Sequence, residues 1–330
     1  MAGRASTNQI FDSGLQGIEN VQSRMLKTQQ DLSTGKRVRV PSDDPVAAAR
    51  ILEITQSVEV NNRHIENQAY ATSQLSALET KFGQATETMQ DILDRSVQVG
   101  NSATLSDGDR QSIAVELRQK LAQLLSIANA QDANGQYMFS GSKSATQPFN
   151  PVSDPVDASV PASATPHSAT NSYATYSGDQ TQQRLQVDSS RIMPTTETGF
   201  AVFMRPKDKN GNLTTGSVFD AIKNLIDTVE KPSATNTTFQ TDLAGQTAEL
   251  RAFLDNTVRL RAAVGARLDE IDSLGVAASA TDEQLQTSRS NLEDLDYAKA
   301  ISEFTQQQTM LQAAQKTFRA ASDLSLFNLI

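Results

Sequence analysis

The sequence predicts a mainly α-helical chain with an inserted β-rich domain, carried on long coiled-coil-like helices. Three observations lead there. Apolar residues recur every seventh position at both ends of the 330 residues; a three-and-four spacing runs unbroken through the segment after the first end; and a Ser/Thr/Pro-rich stretch interrupts the helical pattern near the middle.

Phe11, Ile18, Met25 and Leu32 form the first heptad series, with Gly14, Val21 and Thr28 as its intermediate positions. The series stops at LSTGKRVRVPSDDPVAAARIL, residues 32–52. Gly35 suits the left-handed position just past a helix C-terminus, and Asp44-Pro45 suits an N-cap followed by the first helical residue. A second helix is predicted from Pro45 to about Asn101, through Ile51, Ile54, Val58, Asn61, Ile65, Gln68, Thr72 and Leu75, then Leu78, Phe82, Ala85, Met89, Ile92, Ser96 and Val99. The two successive three-residue steps around Leu75 and Leu78 overwind a coiled coil locally. Polar seam entries at Asn61, Gln68 and Thr257 read as tolerated or register-setting residues rather than ligands.

Ser106 and Asp109 predict an N-cap and charged first turn for a third helix, through Ile113, Leu117, Leu121, Leu124 and Ala128 to the Asn134-Gly135 turn. From Ser140 to Gly178 the chain is rich in Ser, Thr and Ala, and Pro148, Pro151, Pro155, Pro161 and Pro166 exclude a helix. Strand-like pieces surround it at Gln136–Ser140, Arg184–Val187 and Ala201–Arg205, the last followed by an Asn210-Gly211 hairpin turn. These predict a small β domain inserted between helices; the same composition also suits a flexible loop. Leu243, Leu250, Thr257, Val264 and Ile271, with Phe253, Leu260 and Leu274 beside them, predict another long helix. Tyr297, Phe304, Leu311 and Phe318, flanked by Ile301, Ala314 and Ala321, repeat the heptad device at the C-terminal end.

Composition narrows the function classes. Aromatics make up only 5% and Trp is absent, which suits long helices packed through Leu, Ile, Ala and Met. Without Cys there is no disulfide, thiolate metal site or Cys nucleophile. A net charge of -9 lacks the basic face of a nucleic-acid binder. No apolar run approaches the roughly 20 residues that span a bilayer, and Met1–Ile10 lacks the apolar core of a cleavable signal, so no membrane insertion is expected.

No catalytic constellation converges. His64, beside Asn62, Arg63 and Glu66, and His167 lack metal-ligand partners at helical spacing and read as solvated. Asp208-Lys209-Asn210-Gly211-Asn212 resembles a Ca²⁺ loop but places Pro206 where an acid is needed. Asp43-Asp44 is accounted for by the N-cap, and Glu293-Asp294-Asp296 sits beside Leu292 and Leu295 on a predicted helix surface. Lys36, Arg37 and Arg39 read either as a solvated hinge or as partners for acids of a neighbouring molecule. Neither catalytic, metal nor cofactor-binding residues are predicted.

The hinge, SIANAQDANGQYMFSG at 126–141, YSGDQTQQRLQV at 176–187, RAAVGARLDEID at 261–272 and LEDLDYAKAISEFTQQQTMLQAAQKTF at 292–318 resemble the flagellin family. STNQIFDSGLQGI at 6–18 and LSLFNLI at 324–330 are similar to its hook-filament junction branch rather than to filament flagellin. The resemblance implies that the N- and C-terminal segments pair as an inner coiled-coil domain, D0, of 1–40 and 294–330. It implies a helical D1 from 41–150 and 215–293, and a β-rich D2 of 151–214. Gly35, Lys36, Arg37, Arg39, Asp43, Asp44 and Pro45 would then be the D0–D1 hinge. The implied partners are other copies of the chain, hook-associated protein 1, flagellin and an export chaperone engaging the C-terminal region. Export through the flagellar type III apparatus without signal cleavage would place the chain outside the cell.

The heptads supply a physical reason for assembly. Two lone helices of roughly 35 residues, with Gly14, Gly17, Gln308 and Ser322 on or near the apolar face, bury little against a backbone ordering cost of about 1–2 kcal/mol per residue. Neighbouring copies would cover Phe11, Ile18, Met25, Leu32, Tyr297, Ile301, Phe304, Leu311 and Phe318. The alternatives are a filament flagellin and a surface adhesin that uses the middle domain.

Overall fold

The computed structural model describes residues 7–101, 106–151, 173–204, 216–231 and 238–327, and side chains from 12 to 320 within those ranges. The Phe11 side chain, His167, Arg205 and the Asn210-Gly211 turn lie outside the described residues. The described elements are, in order, α1 (Thr7–Thr34), α2 (Pro45–Asn101), α3 (Asp107–Ala128), β1 (Phe149–Pro151), β2 (Ala174–Tyr176), β3 (Arg184–Gln186), β4 (Ile192–Pro194), α4 (Gly199–Phe203), α5 (Val218–Glu230), α6 (Phe239–Glu293) and α7 (Tyr297–Phe327). The chain is thus mainly helical, with a small strand-containing middle region.

It forms two compact units, one of the described residues up to Asn62 with those from Ser279 onward, the other Arg63–Ala278. In the second unit, Leu75, Leu78, Phe82 and Met89 of α2, Leu117 and Leu121 of α3, Ile222 and Leu225 of α5, and Leu250, Phe253 and Val264 of α6 share one buried core. Each such side chain contributes about 1.5–3 kcal/mol on leaving water. Phe139, Phe149, Phe203 and Phe219 are joined edge to face or stacked, at ring separations of 5.2–5.9 Å. The two short antiparallel hairpins, β1 with β2 and β3 with β4, therefore belong to the same core as the helices.

Local chemistry explains the elements. Ser106 caps α3 and Asp109 returns the bond, a reciprocal capping box. α3 ends at Ala128, earlier than the Asn134-Gly135 turn, because Asn129 leaves the helix to bond both the nitrogen and the oxygen of Phe149 at 2.9 Å. α5 lies outside the seven-residue series, yet Ser217 and Asp220 form a second capping box ahead of it.

Two expected strands are corrected. Gln136–Ser140 is a turn segment: the Asp132 carboxylate takes the Gln136 nitrogen, the Tyr137 and Met138 nitrogens donate to Ser144 O and Ala130 O on two different segments rather than to one ladder, and the preceding turn closes at Gly135 with a φ of 76°. Ala201–Arg205 is instead entered by α4, because the Thr198 hydroxyl accepts from Ala201 N at 3.3 Å and burial of Val202 and Phe203 holds the turn. Arg184–Gln186 is a strand as expected. Tyr176 closes the region: its hydroxyl, within reach of the Phe139 and Asp179 carbonyls at 2.9 and 2.7 Å, donates to one at a time, and burial pushes the phenol up to about 12.

Gln68 is more than a tolerated seam residue, since its amide donates to Val187 O at 2.8 Å, next to the Asn67 amide on Gln186 O at 2.7 Å. His64 is not solvated: both ring nitrogens are enclosed in the fold, with no hydrogen-bond partner among the described residues.

Candidate assembly surface and the helix break

Both ends of the break form as local signals predict. Gly35 has a φ of 70°, its nitrogen donates to Asp31 O at 2.8 Å, and α1 stops there. Asp44 Oδ1 accepts from Ala47 N at 3.0 Å, with Pro45 as the first residue of α2. The returning chain breaks beside it. Arg37 N donates to Glu293 O at 2.7 Å and Leu295 N to Gly35 O at 2.9 Å, a short antiparallel bridge centred on Lys36 and Asp294.

The basic cluster is paired within the chain, with Lys36 and Arg37 still about half exposed. Lys36 meets Glu293, Arg39 Nε meets Asp31 Oδ1 at 2.9 Å, and Arg37 Nη1 meets Asp44 Oδ2 at 3.1 Å while Nη2 donates to Leu292 O at 2.8 Å. Lys27 reaches Asp43 at 2.8 Å. That bond, aided by the Arg39 and Val40 nitrogens, pushes the Asp43 carboxyl down to about 2. The Ala47 nitrogen, and then Arg37, hold Asp44 below its ordinary range. The acids at 293–296 are likewise not a helix surface: Glu293 ends α6, Asp294 joins the bridge, and Asp296 Oδ1 accepts from Lys299 N at 3.1 Å as the N-cap of α7. Sequence reasoning missed Asp296, although an acid directly before a heptad series is an N-cap signal.

α1 and α7 pack along each other in the single chain. Val21, Thr28 and Ala300 are buried between them or beside the break, whereas Ile18, Met25, Leu32, Phe304, Leu311 and Phe318 are half-buried. Leu26, Tyr297 and Ile301 stay more than half exposed, at 56%, 52% and 55%. Gly14 admits the Phe318 ring so closely that a β-carbon there would stand 2.8 Å from Cδ2. The pair thus brings the predicted seam residues of both ends into one arm and leaves much of its apolar surface open to water. Among the described residues, no cluster of three or more His, Asp or Glu is placed to hold a metal ion, and no helix is long and apolar enough to cross a membrane.

Residues 5–144 match the bacterial flagellin N-terminal helical region and residues 250–330 the bacterial flagellin C-terminal helical region. Paired terminal helices in one unit and a helical core in the other define a flagellin-like structural subunit. More narrowly, the chain belongs to the flagellar hook-associated protein 3 family: it is 32% identical to flagellar hook-associated protein 3 of Salmonella typhimurium, with 99% of each chain covered. The Escherichia coli protein of the same name is 31% identical over 99% of each chain. The crystal structure of flagellar hook-associated protein 3 from Legionella pneumophila shares the fold, with a TM-score of 0.64 at 20% identity, over 73% of this chain and 98% of that one.

Proposed function

We propose that the chain is the adaptor that joins the hook, through hook-associated protein 1, to the flagellin filament, and that it self-assembles through its terminal helices. The observation that carries this reading is the α1–α7 arm, whose half-buried Ile18, Met25 and Leu32 and exposed Leu26 and Ile301 form more apolar surface than a single chain covers. Neighbouring copies supply the missing cover. The names of the relatives support the junction role over a filament flagellin.

In this reading 1–40 and 294–330 form the inner domain, 41–150 and 215–293 the helical domain outside it, and 151–214 the inserted region. The chain acts as a structural part with no catalytic step. It leaves the cell through the flagellar export apparatus without signal cleavage, its C-terminal region held by an export chaperone beforehand. Deleting the gene tests the role: flagellin should appear in the medium while hooks remain bare, and normal filaments on the hooks would refute it. Removing residues 152–172, which lie outside the described residues and leave the described core side chains in place, separates the adhesin alternative, since an adaptor so shortened still supports filament growth.

A further inference from the structure

The bridge at Lys36 and Asp294 and the approach of Phe318 to Gly14 make α1 and α7 antiparallel, and both helices repeat every seven residues. A shift by one heptad leaves most seam pairings chemically similar, so the repeat alone does not name one register. Two close approaches do. A β-carbon at Gly14 would stand 2.8 Å from Cδ2 of Phe318, and one at Gly35 would stand 2.8 Å from the hydroxyl oxygen of Tyr297. The two glycines are three heptads apart, as are the two aromatic residues. The same register sets Val21 opposite Leu311 and Thr28 opposite Phe304, and Val21 and Thr28 are the most buried side chains of α1, at 9% each.

We propose that Gly14 and Gly35, receiving the ring of Phe318 and the hydroxyl of Tyr297, are register pins that select one pairing of the terminal helices. A shift by one heptad sets Phe318 on Val21 and carries Tyr297 past the break, or sets Phe318 on Thr7 and Tyr297 on Thr28. Either way a β-carbon occupies the place the ring needs. The buried positions of α1 therefore fall on its small residues, and its large heptad residues Ile18, Met25 and Leu32 are turned partly out of the pair. The inference concerns the pair itself and holds whichever flagellar role the chain has.

The absence of native Cys makes the test direct in the full chain. Val21→Cys with Leu311→Cys reports the pinned register, and Val21→Cys with Phe304→Cys reports a shifted one. Oxidation to the intramolecular disulfide should be about tenfold faster for the first pair, a ratio that reads register even when the helices are only partly paired. Gly14→Ala added to the first pair should slow it about threefold by overpacking against Phe318, and Gly14→Ala with Phe318→Leu should recover it. If the glycine were incidental, Ala would leave the rate unchanged or raise it through better helix propensity. Equal rates for the two pairs, or no slowing by Gly14→Ala, would overturn the proposal.

Discussion

Arg37 donates through Nη2 to the main-chain oxygen of Leu292 and through Nη1 to the carboxylate of Asp44, so one guanidinium closes the end of α6 and steadies the N-cap of α2. The break is consequently a tied junction between helix ends. Arg37→Ala should raise amide hydrogen exchange in the first turn of α2 and the last turn of α6, and Arg37→Lys should restore at most one of the two, because an ammonium cannot fork. Unchanged exchange at both ends in Arg37→Ala would show that the tie does not matter.

Acid should loosen the same junction. Asp43 has a folded pKa of about 2 against an ordinary 3.8, so its contribution is present above pH 3.8 and is lost as pH falls toward 2. A carboxyl titration followed by NMR should find the Asp43 midpoint near 2, and Lys27→Ala should move it upward. A midpoint near 3.8 in the unaltered chain would contradict the Lys27–Asp43 contact.

The aromatic core answers for stability elsewhere. Phe203 is 1% exposed and packs against Phe139, Phe149 and Phe219, so Phe203→Ala should cost about 3–5 kcal/mol in chemical denaturation followed through the 63–278 unit. A loss below about 1 kcal/mol would mean that the middle region is not joined to the helical core as described.

Glu197 is a buried acid with a definite task. It accepts from Arg267 Nη1 and from Gln182 Nε2, each at 2.8 Å, linking the segment before α4 to α6. Glu197→Gln leaves Arg267 less well paired. Its cost should be smaller than the about 3–5 kcal/mol of breaking a fully buried pair, because the Arg267 side chain is 20% exposed. Replacing Glu197 and Arg267 together should cost less than the two single changes summed, and strict additivity would deny their coupling.

What was legible in the sequence was local. Gly35, Asp44-Pro45 and Ser106 with Asp109 each carry their own turn or cap chemistry, and the heptads mark the terminal helices without any knowledge of partners. The loop at 136–140 was not legible as a turn, because its backbone donors go to the Asp132 carboxylate and to carbonyls of two separate segments, Ser144 and Ala130. The partners of Lys36 and Arg37 were not legible either, since Glu293 and Leu292 are more than 250 residues away in the chain. Nor does the heptad tell which face of α1 is covered: that depends on Gly14 meeting the Phe318 ring and Gly35 the Tyr297 hydroxyl, a long-range relation that periodicity does not encode.

The most direct test of the assembly surface is complementation of a strain lacking the gene with Ile18→Glu and Met25→Glu in one chain. Both side chains are half-buried on the arm and lie outside the 63–278 core. The doubly substituted chain should be secreted at normal levels and melt at the unaltered temperature, while hooks stay bare and flagellin collects in the medium. Normal filaments on those hooks would contradict the assignment of the terminal helix pair as the element through which the chain assembles.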